Sequence, residues 1–220
     1  AYNEENTIAS LIDSIKSQFD VGVIVVNDRS SDNTEYLSEK AGAEVLNLEE
    51  KAGYNTAIHR GLDMAIESGY KYAITMDADG QHPPEKLHKF FELFENGDQF
   101  VFGFRPTGAR WAEKIFAKWA FKKYGILDPL CGMKGYDLDE LGKFFRLPTF
   151  NSVGTEIMMN VVQDEFKWGQ VAIPEVARED NPRFGNGLKP NLTILVVFLR
   201  FVLWSLIFGR YKSFSRIDDV

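Results

Sequence analysis

Hydrophobic positions along this chain change their spacing several times, and each change marks an element. From Ile8 to Phe19 the apolar residues Ile8, Leu11, Ile12, Ile15 and Phe19 recur at three and four, the spacing of one helix face. The stretch "VGVIVVND" that follows is almost continuously apolar and predicts a buried strand. Ser30 to Asp32 then supply helix-start residues and Gly42 a stop, so "SSDNTEYLSEKAG" predicts a second helix. A short strand "AEVLNL", a helix from about Tyr54 to Glu67 and a strand "YKYAITM" complete the first half. Strands alternating with helices predict an α/β fold on a largely parallel sheet. In such sheets ligands bind outside the carboxyl ends of the strands, and the acidic loops "NDRSSD" and "DADGQH" both leave strands there.

The second half is less regular. "QFVFGFR" reads as a strand, "RWAEKIFAKWAFKKYG" as an aromatic-faced helix, "GTEIMMNVVQDE" as a helix and "WGQVAIPEV" as a strand. The polar, glycine- and proline-containing stretch "AREDNPRFGNGLKP" is a candidate lid. Leu192 to Phe208 is apolar except at Thr193, Arg200 and Ser205, and Arg210, Lys212 and Arg216 follow it. It falls short of the roughly 20 apolar residues of a membrane span and carries an arginine near its middle. With Thr193, Val197, Arg200 and Trp204 on one side, it predicts a helix lying on a membrane surface, with a core or dimer-interface helix and, last, a true span as the alternatives. We therefore divide the chain into a domain at 1–190, whose first strand is expected to be truncated, and a membrane-proximal apolar and basic segment at 191–220.

Composition narrows the function. A net charge of -7 argues against a nucleic-acid binder, because such binding rests on neutralising phosphates. The single Cys131 excludes an internal disulfide and a multi-cysteine zinc site, and points to a reducing compartment, the cytosol in the simplest case. Cys131 reads as a packing residue, His59 and His88 as helix-surface or packing residues, and Trp111, Phe116, Trp119 and Phe121 as core or interface.

The chemistry sits in the acidic loops. Asp77 and Asp79 end a strand one residue apart and repel each other unless a cation lies between them; two hard oxygen donors suit magnesium or manganese on a diphosphate. Gln81 and His82 add polar groups, and Pro83 and Pro84 stiffen the loop. Asp28 can accept from a ribose hydroxyl or a base N–H or serve the turn, Ser31 or Asp32 can cap the next helix, and Glu4 and Glu5 can serve as helix N-terminal charges.

"AYNEENTIASLIDSI", "VNDRSSDNT" and "MDADGQHPPEKL", in that order, resemble the inverting family 2 glycosyltransferases of the GT-A fold, a three-layer architecture with a mostly parallel central sheet. The "DADGQHPPE" form is similar to the branch that transfers a sugar from a GDP- or UDP-sugar to a polyprenyl phosphate, as dolichol-phosphate mannose synthase does. The resemblance covers Ala1 to about Arg105 closely and is traceable to Lys189. It implies that Tyr2, Glu4 and Asp28 hold the nucleotide, that Asp77, Asp79 and Gln81 coordinate Mg²⁺ or Mn²⁺, and that Arg105 faces the acceptor phosphate. In "RFGNGLK", Arg183 and Lys189 match a phosphate-binding loop, with Leu188 in place of the usual serine; Asn27 replaces a frequent aspartate.

A lipid phosphate acceptor is already ionised and needs cations rather than a strong base; Arg105, Arg183 and Lys189 would supply them. A sugar hydroxyl acceptor needs a carboxylate base, and Asp128 in "ILDPLCGMKGYD" ranks before Glu156 in "VGTEIMMN". The expected protein is a metal-dependent glycosyltransferase on the cytoplasmic side of a membrane, peripheral or C-terminally anchored, with homo-oligomers possible in principle. The alternatives are transfer to a saccharide hydroxyl in cell-surface polysaccharide synthesis, a nucleotidyltransferase, and a binding module without catalysis.

Overall fold

The computed structural model describes residues 1–106, 110–142, 152–164, 166–174, 188–208 and 216–217. Helix α1 spans Ile8–Gln18 and buries Ile8, Ile12 and Ile15, the face that the spacing predicts. Strand β1 (Ile24–Asn27) pairs in parallel with β2 (Glu44–Asn47), joined by α2 (Thr34–Lys40). Helix α3 (Tyr54–Glu67) leads to β3 (Tyr72–Thr75). A 3-10 turn at Pro84–Lys86 then opens α4 (Leu87–Glu95).

The remaining elements complete a second sheet. They are β4 (Phe100–Phe104), α5 (Trp111–Tyr124), β5 (Lys134–Asp137), α6 (Leu138–Leu141), α7 (Val153–Gln163), β6 (Trp168–Ala172), α8 (Leu188–Phe208) and β7 (Arg216–Ile217). The strand order is β3-β5-β4-β6-β7, with β5 antiparallel to both neighbours and β4, β6 and β7 mutually parallel.

Strand β4 is covered on both faces, which explains its nearly continuous apolar sequence. Phe100 and Phe102 join Leu62, Phe116, Ile157 and Phe201 in one core, whereas Val101 joins Ile15, Phe90, Leu93, Phe94 and Val171 in the other. The sheet is therefore the middle of three layers, with α3, α5, α7 and α8 on one side and α1 and α4 on the other.

Helix α4, absent from the expectations above, follows the helical spacing of Leu87, Phe90, Phe91 and Phe94, whereas strand β5 and the short α6 are not anticipated by the hydrophobic pattern. "KGYD" has one large apolar residue and no alternation, so pairing to β3 and β4 makes it a strand. Gly135 is required there, because a Cβ would lie 2.7 Å from the Phe94 ring. The lid stretch falls outside the described residues apart from its last three, Leu188 to Pro190, which open α8.

An apolar cavity of about 420 Å³ separates the two sheets. Its walls include Ile24, Val25 and Val26 of β1, Tyr72 to Thr75 of β3, Ile12 and Ile15 of α1 and Leu62 of α3. At its end, the Ala1 ammonium donates to Val26 O at 2.7 Å and Asp28 N donates to Ala1 O at 2.9 Å, the pattern of a parallel ladder on β1.

Candidate active site

The "AYNEEN" and "NDRSSD" loops are sewn to each other at the ends of Ala1 and β1. Asn3 N donates to Ser30 Oγ at 2.9 Å, Ser31 N to Asn3 Oδ1 at 2.8 Å and Glu4 N to Thr34 Oγ1 at 2.7 Å. Asp32 takes Glu5 N on one oxygen and Thr34 N and Oγ1 on the other, so it starts α2 and holds the first loop at once. Asn3 and Arg29 adopt left-handed backbone with φ of 53° and 59°. Such non-glycine residues cost on the order of 1 kcal/mol each and persist only where neighbours enforce them.

Asp28 is buried and accepts from Ala52 N at 2.7 Å and Gly53 N at 3.0 Å, tying the start of α3 to the end of β1. Glu4 is also buried. Tyr2 is partly exposed beneath Lys51, whose Nζ lies 3.5 Å from the ring centroid, an electrostatic contact with the ring face.

The "DADGQH" loop joins this assembly through Thr7 Oγ1, which donates to Ala78 O at 2.7 Å. Asp77 N donates to Nδ1 of the buried His82 at 3.0 Å, so the proton of a neutral His82 sits on Nε2, 3.9 Å from Asp77 Oδ2. Asp79 Oδ1 accepts from Gln81 N at 3.1 Å. Across the loop, Gly132 abuts the Asp77 carboxylate: a Cβ there would lie 2.5 Å from Oδ2. Asp77, Asp79 and Gln81 remain partly exposed and fit a divalent ion as hard oxygen donors. Among the described residues no cluster of three or more His, Cys, Asp or Glu would hold a metal by itself.

The facing wall is charged and buried. Arg105, at the end of β4, donates from Nε to Asp128 Oδ2 at 2.6 Å and from Nη2 to Asp128 Oδ1 at 3.1 Å and Glu113 Oε2 at 3.0 Å. Arg110 adds a contact to Glu113 Oε1 at 3.2 Å. Burial alone would raise the Asp128 pKa, but Arg105 holds it below the ordinary aspartate value. Burial disfavours the Arg105 charge in turn, and Asp128 and Glu113 outweigh it.

Lys134 opens β5, is buried and donates to Cys131 O. Burial lowers its pKa, opposed by Cys131, Asp128 and Asp77, so its ammonium lies within electrostatic reach of both walls. Tyr54 exposes about half of its surface while its hydroxyl lies deep in the crevice, where the surrounding protein and Asp77 push its pKa well up.

The structure thus gathers Tyr2, Glu4, Asp28, Asp77, Asp79, Gln81, Arg105 and Asp128 at one end of the sheets. Arg183 lies outside the described residues; Lys189 is placed in α8 by its backbone alone. Glu156 accepts from Ser152 N at 3.2 Å, closing the first turn of α7. Burial pushes the Cys131 thiol up to about 11, which keeps it protonated and unreactive at neutral pH. His59 pairs with Asp63 at 3.0 Å on the α3 surface, and His88 is exposed.

Sequence reasoning missed Glu113, Lys134, Tyr54 and the role of His82. Glu113 carried a signal: it shares the buried face of α5 with Phe116 and Ala120, at positions i, i+3 and i+7, where an acid demands a partner.

Polyprenol monophosphomannose synthase from Mycolicibacterium smegmatis is 27% identical over 161 residues, 64% of this chain and 61% of that protein. Undecaprenyl-phosphate mannosyltransferase from Micrococcus luteus is 27% identical over 157 residues, 64% of this chain and 65% of the relative. Dolichol-phosphate mannosyltransferase from Pyrococcus furiosus is 34% identical over 111 residues, 47% and 31% of the two chains. The chain thus spans less than two thirds of the length of these relatives. Among solved structures, glucosyl-3-phosphoglycerate synthase from Mycobacterium tuberculosis, in complex with Mn²⁺, uridine diphosphate and phosphoglyceric acid, superposes with a TM-score of 0.70 at 22% identity, covering 94% of this chain and 75% of that one. The likeness shows the GT-A fold. The sequence profile described as glycosyl transferase family 2 matches residues 1–140, well over half of the chain, and the protein is a member of that family.

Proposed function

We propose that this protein transfers a sugar, with inversion, from a nucleotide-sugar to a polyprenyl phosphate on the cytoplasmic side of a membrane. The observation that carries this reading is the Arg105–Asp128 pair opposite the Asp77–Asp79 loop. Asp128 is bound through both oxygens by Arg105 and held ionised below its ordinary pKa, which makes it a poor proton acceptor. A hydroxyl acceptor needs such a base; a phosphate acceptor does not. The names of the relatives, which act on polyprenyl, undecaprenyl or dolichyl phosphates, support the same acceptor class.

In this mechanism Tyr2, Glu4 and Asp28 form the nucleotide end of the crevice, with Asp28 also fixing the loop at Ala52 and Gly53. Asp77 and Asp79, assisted by Gln81, would hold Mg²⁺ or Mn²⁺, which when bound neutralises charge on the leaving diphosphate. His82 and Gly132 fix where the Asp77 carboxylate stands. Asp128 and Glu113 orient Arg105 toward the acceptor, so that two anions can meet, and Arg183, together with Lys189 in the first turn of α8, would add cations for the phosphates. Lys134 balances the carboxylates from behind.

The test is incubation with undecaprenyl phosphate, Mn²⁺ or Mg²⁺ and a panel of labelled GDP- and UDP-sugars, with label counted in the organic phase. Label entering lipid with one donor, and lost with EDTA, is the expected result. Donor hydrolysis without lipid labelling would overturn the acceptor assignment and favour a saccharide hydroxyl.

A further inference from the structure

Tyr54 opens α3 and reaches into the crevice, and its neighbours in the chain fix where it stands. Ala52 N and Gly53 N donate to the buried Asp28 at 2.7 and 3.0 Å, and Gly53 takes left-handed backbone with φ of 85°, which suits glycine. On the other side, Val153 N donates to Asn55 Oδ1 at 3.0 Å and ties the first turn of α3 to the start of α7. Tyr54 is thus held between two anchors, one just beyond β1 and one at α7.

About half of the Tyr54 surface is exposed, and among the described residues its hydroxyl has no hydrogen-bond partner. It does have charged company. Asp77 and Arg105, from opposite sides of the crevice, both act on it, Asp77 making ionisation harder and Arg105 easier. With the surrounding protein, the balance lies well above the ordinary phenol value of 10.0, so the hydroxyl keeps its proton throughout the neutral range. It is a neutral donor aimed into open space.

Other donors nearby are engaged. Asp28 takes the amides that lead into α3, Arg105 directs Nε and Nη2 to Asp128 and Glu113, and Lys134 donates to Cys131 O. The Asp77 and Asp79 carboxylates offer only acceptors. An anion bound beside them therefore needs a donor from another element, and the Tyr54 hydroxyl supplies one without adding charge.

We infer that the Tyr54 hydroxyl is a catalytic hydrogen-bond donor to the β-phosphate of the nucleotide-sugar, holding the oxygen that becomes negative as the sugar departs. The bond from the anomeric carbon to that oxygen breaks and its electron pair stays on the oxygen, while an acceptor phosphate oxygen forms the new bond to the carbon. No proton is taken up or released, and Tyr54 keeps its own. A hydrogen bond to an oxygen whose charge grows strengthens along the reaction, so the hydroxyl acts more on turnover than on binding. This assignment rests on the nucleotide-sugar reading of the crevice, not on which acceptor is used.

The experiment compares the unaltered chain with Tyr54→Phe, which keeps the ring and removes only the oxygen. Uridine and guanosine diphosphates and their monophosphates are titrated by calorimetry with Mn²⁺, and diphosphate release from UDP- and GDP-sugars is followed with undecaprenyl phosphate present. The diphosphate Kd should rise by about ten-fold, with the monophosphate Kd and the thermal unfolding midpoint unchanged, and turnover should fall by about 100-fold. Tyr36→Phe, exposed on α2, should leave every one of these values as it is. Three results would overturn the assignment and leave the transfer reading intact. Equal loss of monophosphate and diphosphate binding would make Tyr54 a support for its loop. Weakened binding of the sugar nucleotide alone would move the hydroxyl to the sugar. Unchanged diphosphate binding and turnover would remove it from the site. An unaltered chain that binds neither diphosphate would overturn the transfer reading, and this assignment with it.

Discussion

The loops at 1–7, 27–34 and 52–53 are held together by single hydrogen bonds from amides and hydroxyls, many of them to the carboxylates of Asp28 and Asp32, whereas in the opposing wall at Arg105, Glu113 and Asp128 buried charge meets buried charge. The first wall contains many bonds that can fail one at a time, each worth about 0.5–3 kcal/mol. The second fails abruptly, because removing one member leaves an uncompensated charge in a dry site, at about 3–5 kcal/mol. Between the two lies Asp77, partly exposed and positioned by neighbours from both sides. Rigidity is thus obtained in two ways, and the Asp77–Asp79 loop is suspended from both.

The largest expected effect tests the loop itself. Asp79→Asn should lower transfer by about 10²-fold or more while leaving the thermal unfolding midpoint unchanged, since a mainly electrostatic contribution is removed from a partly exposed side chain. A matching loss of stability would show that Asp79 belongs to one of the walls. Next comes the contrast between walls. Asp128→Asn should destabilise by about 3 kcal/mol in urea unfolding, and Asp28→Asn, which keeps an oxygen for the two amides, by about 1 kcal/mol. Equal losses would break the comparison.

The pH dependence sharpens it. The folded pKa of Asp128 lies below its ordinary 3.8, so its contribution is fully present above that value and is lost as pH falls through the folded value. The stability gap between the unaltered protein and Asp128→Asn should be constant from neutrality to about pH 5 and shrink below about pH 4. A gap that instead widened on acidification would give the wrong sign for an ion pair. Gly132→Ala should act on catalysis more than on stability: about ten-fold in transfer as Asp77 is displaced, against about 1 kcal/mol in unfolding. At the small end, His59→Ala removes an exposed pair and should change stability by under about 0.5 kcal/mol.

The uneven legibility of the sequence follows from the same contrast. Tyr2, Asp28, Asp77 and Asp79 stand in short runs whose local order carries the signal, and α1 and α3 announce themselves through a regular apolar face. The Arg105 network joins residues 8 and 23 positions apart across a strand, a helix and a loop, so no window of sequence contains it. Strand β5 was illegible for a related reason: a lysine, a glycine and an aspartate make a strand only because β3 and β4 offer ladders on both sides and Phe94 leaves no room at Gly135. Lys134 went unnoticed because an ammonium at the start of a hidden strand looks like an ordinary surface residue.

The cavity between β1 and β3 has a consequence for handling the protein. Among the described residues, β1 pairs only with β2 and β3 only with β5, so two strand edges face each other across an apolar gap in the middle of the molecule. Ala1 already makes two ladder bonds on β1, which shows that this edge accepts extended backbone. The same edges are open to any foreign strand of similar character. Preparations of this 220-residue chain should therefore be prone to self-templated association that grows with concentration and temperature, and an added extended peptide that fills the gap should suppress it.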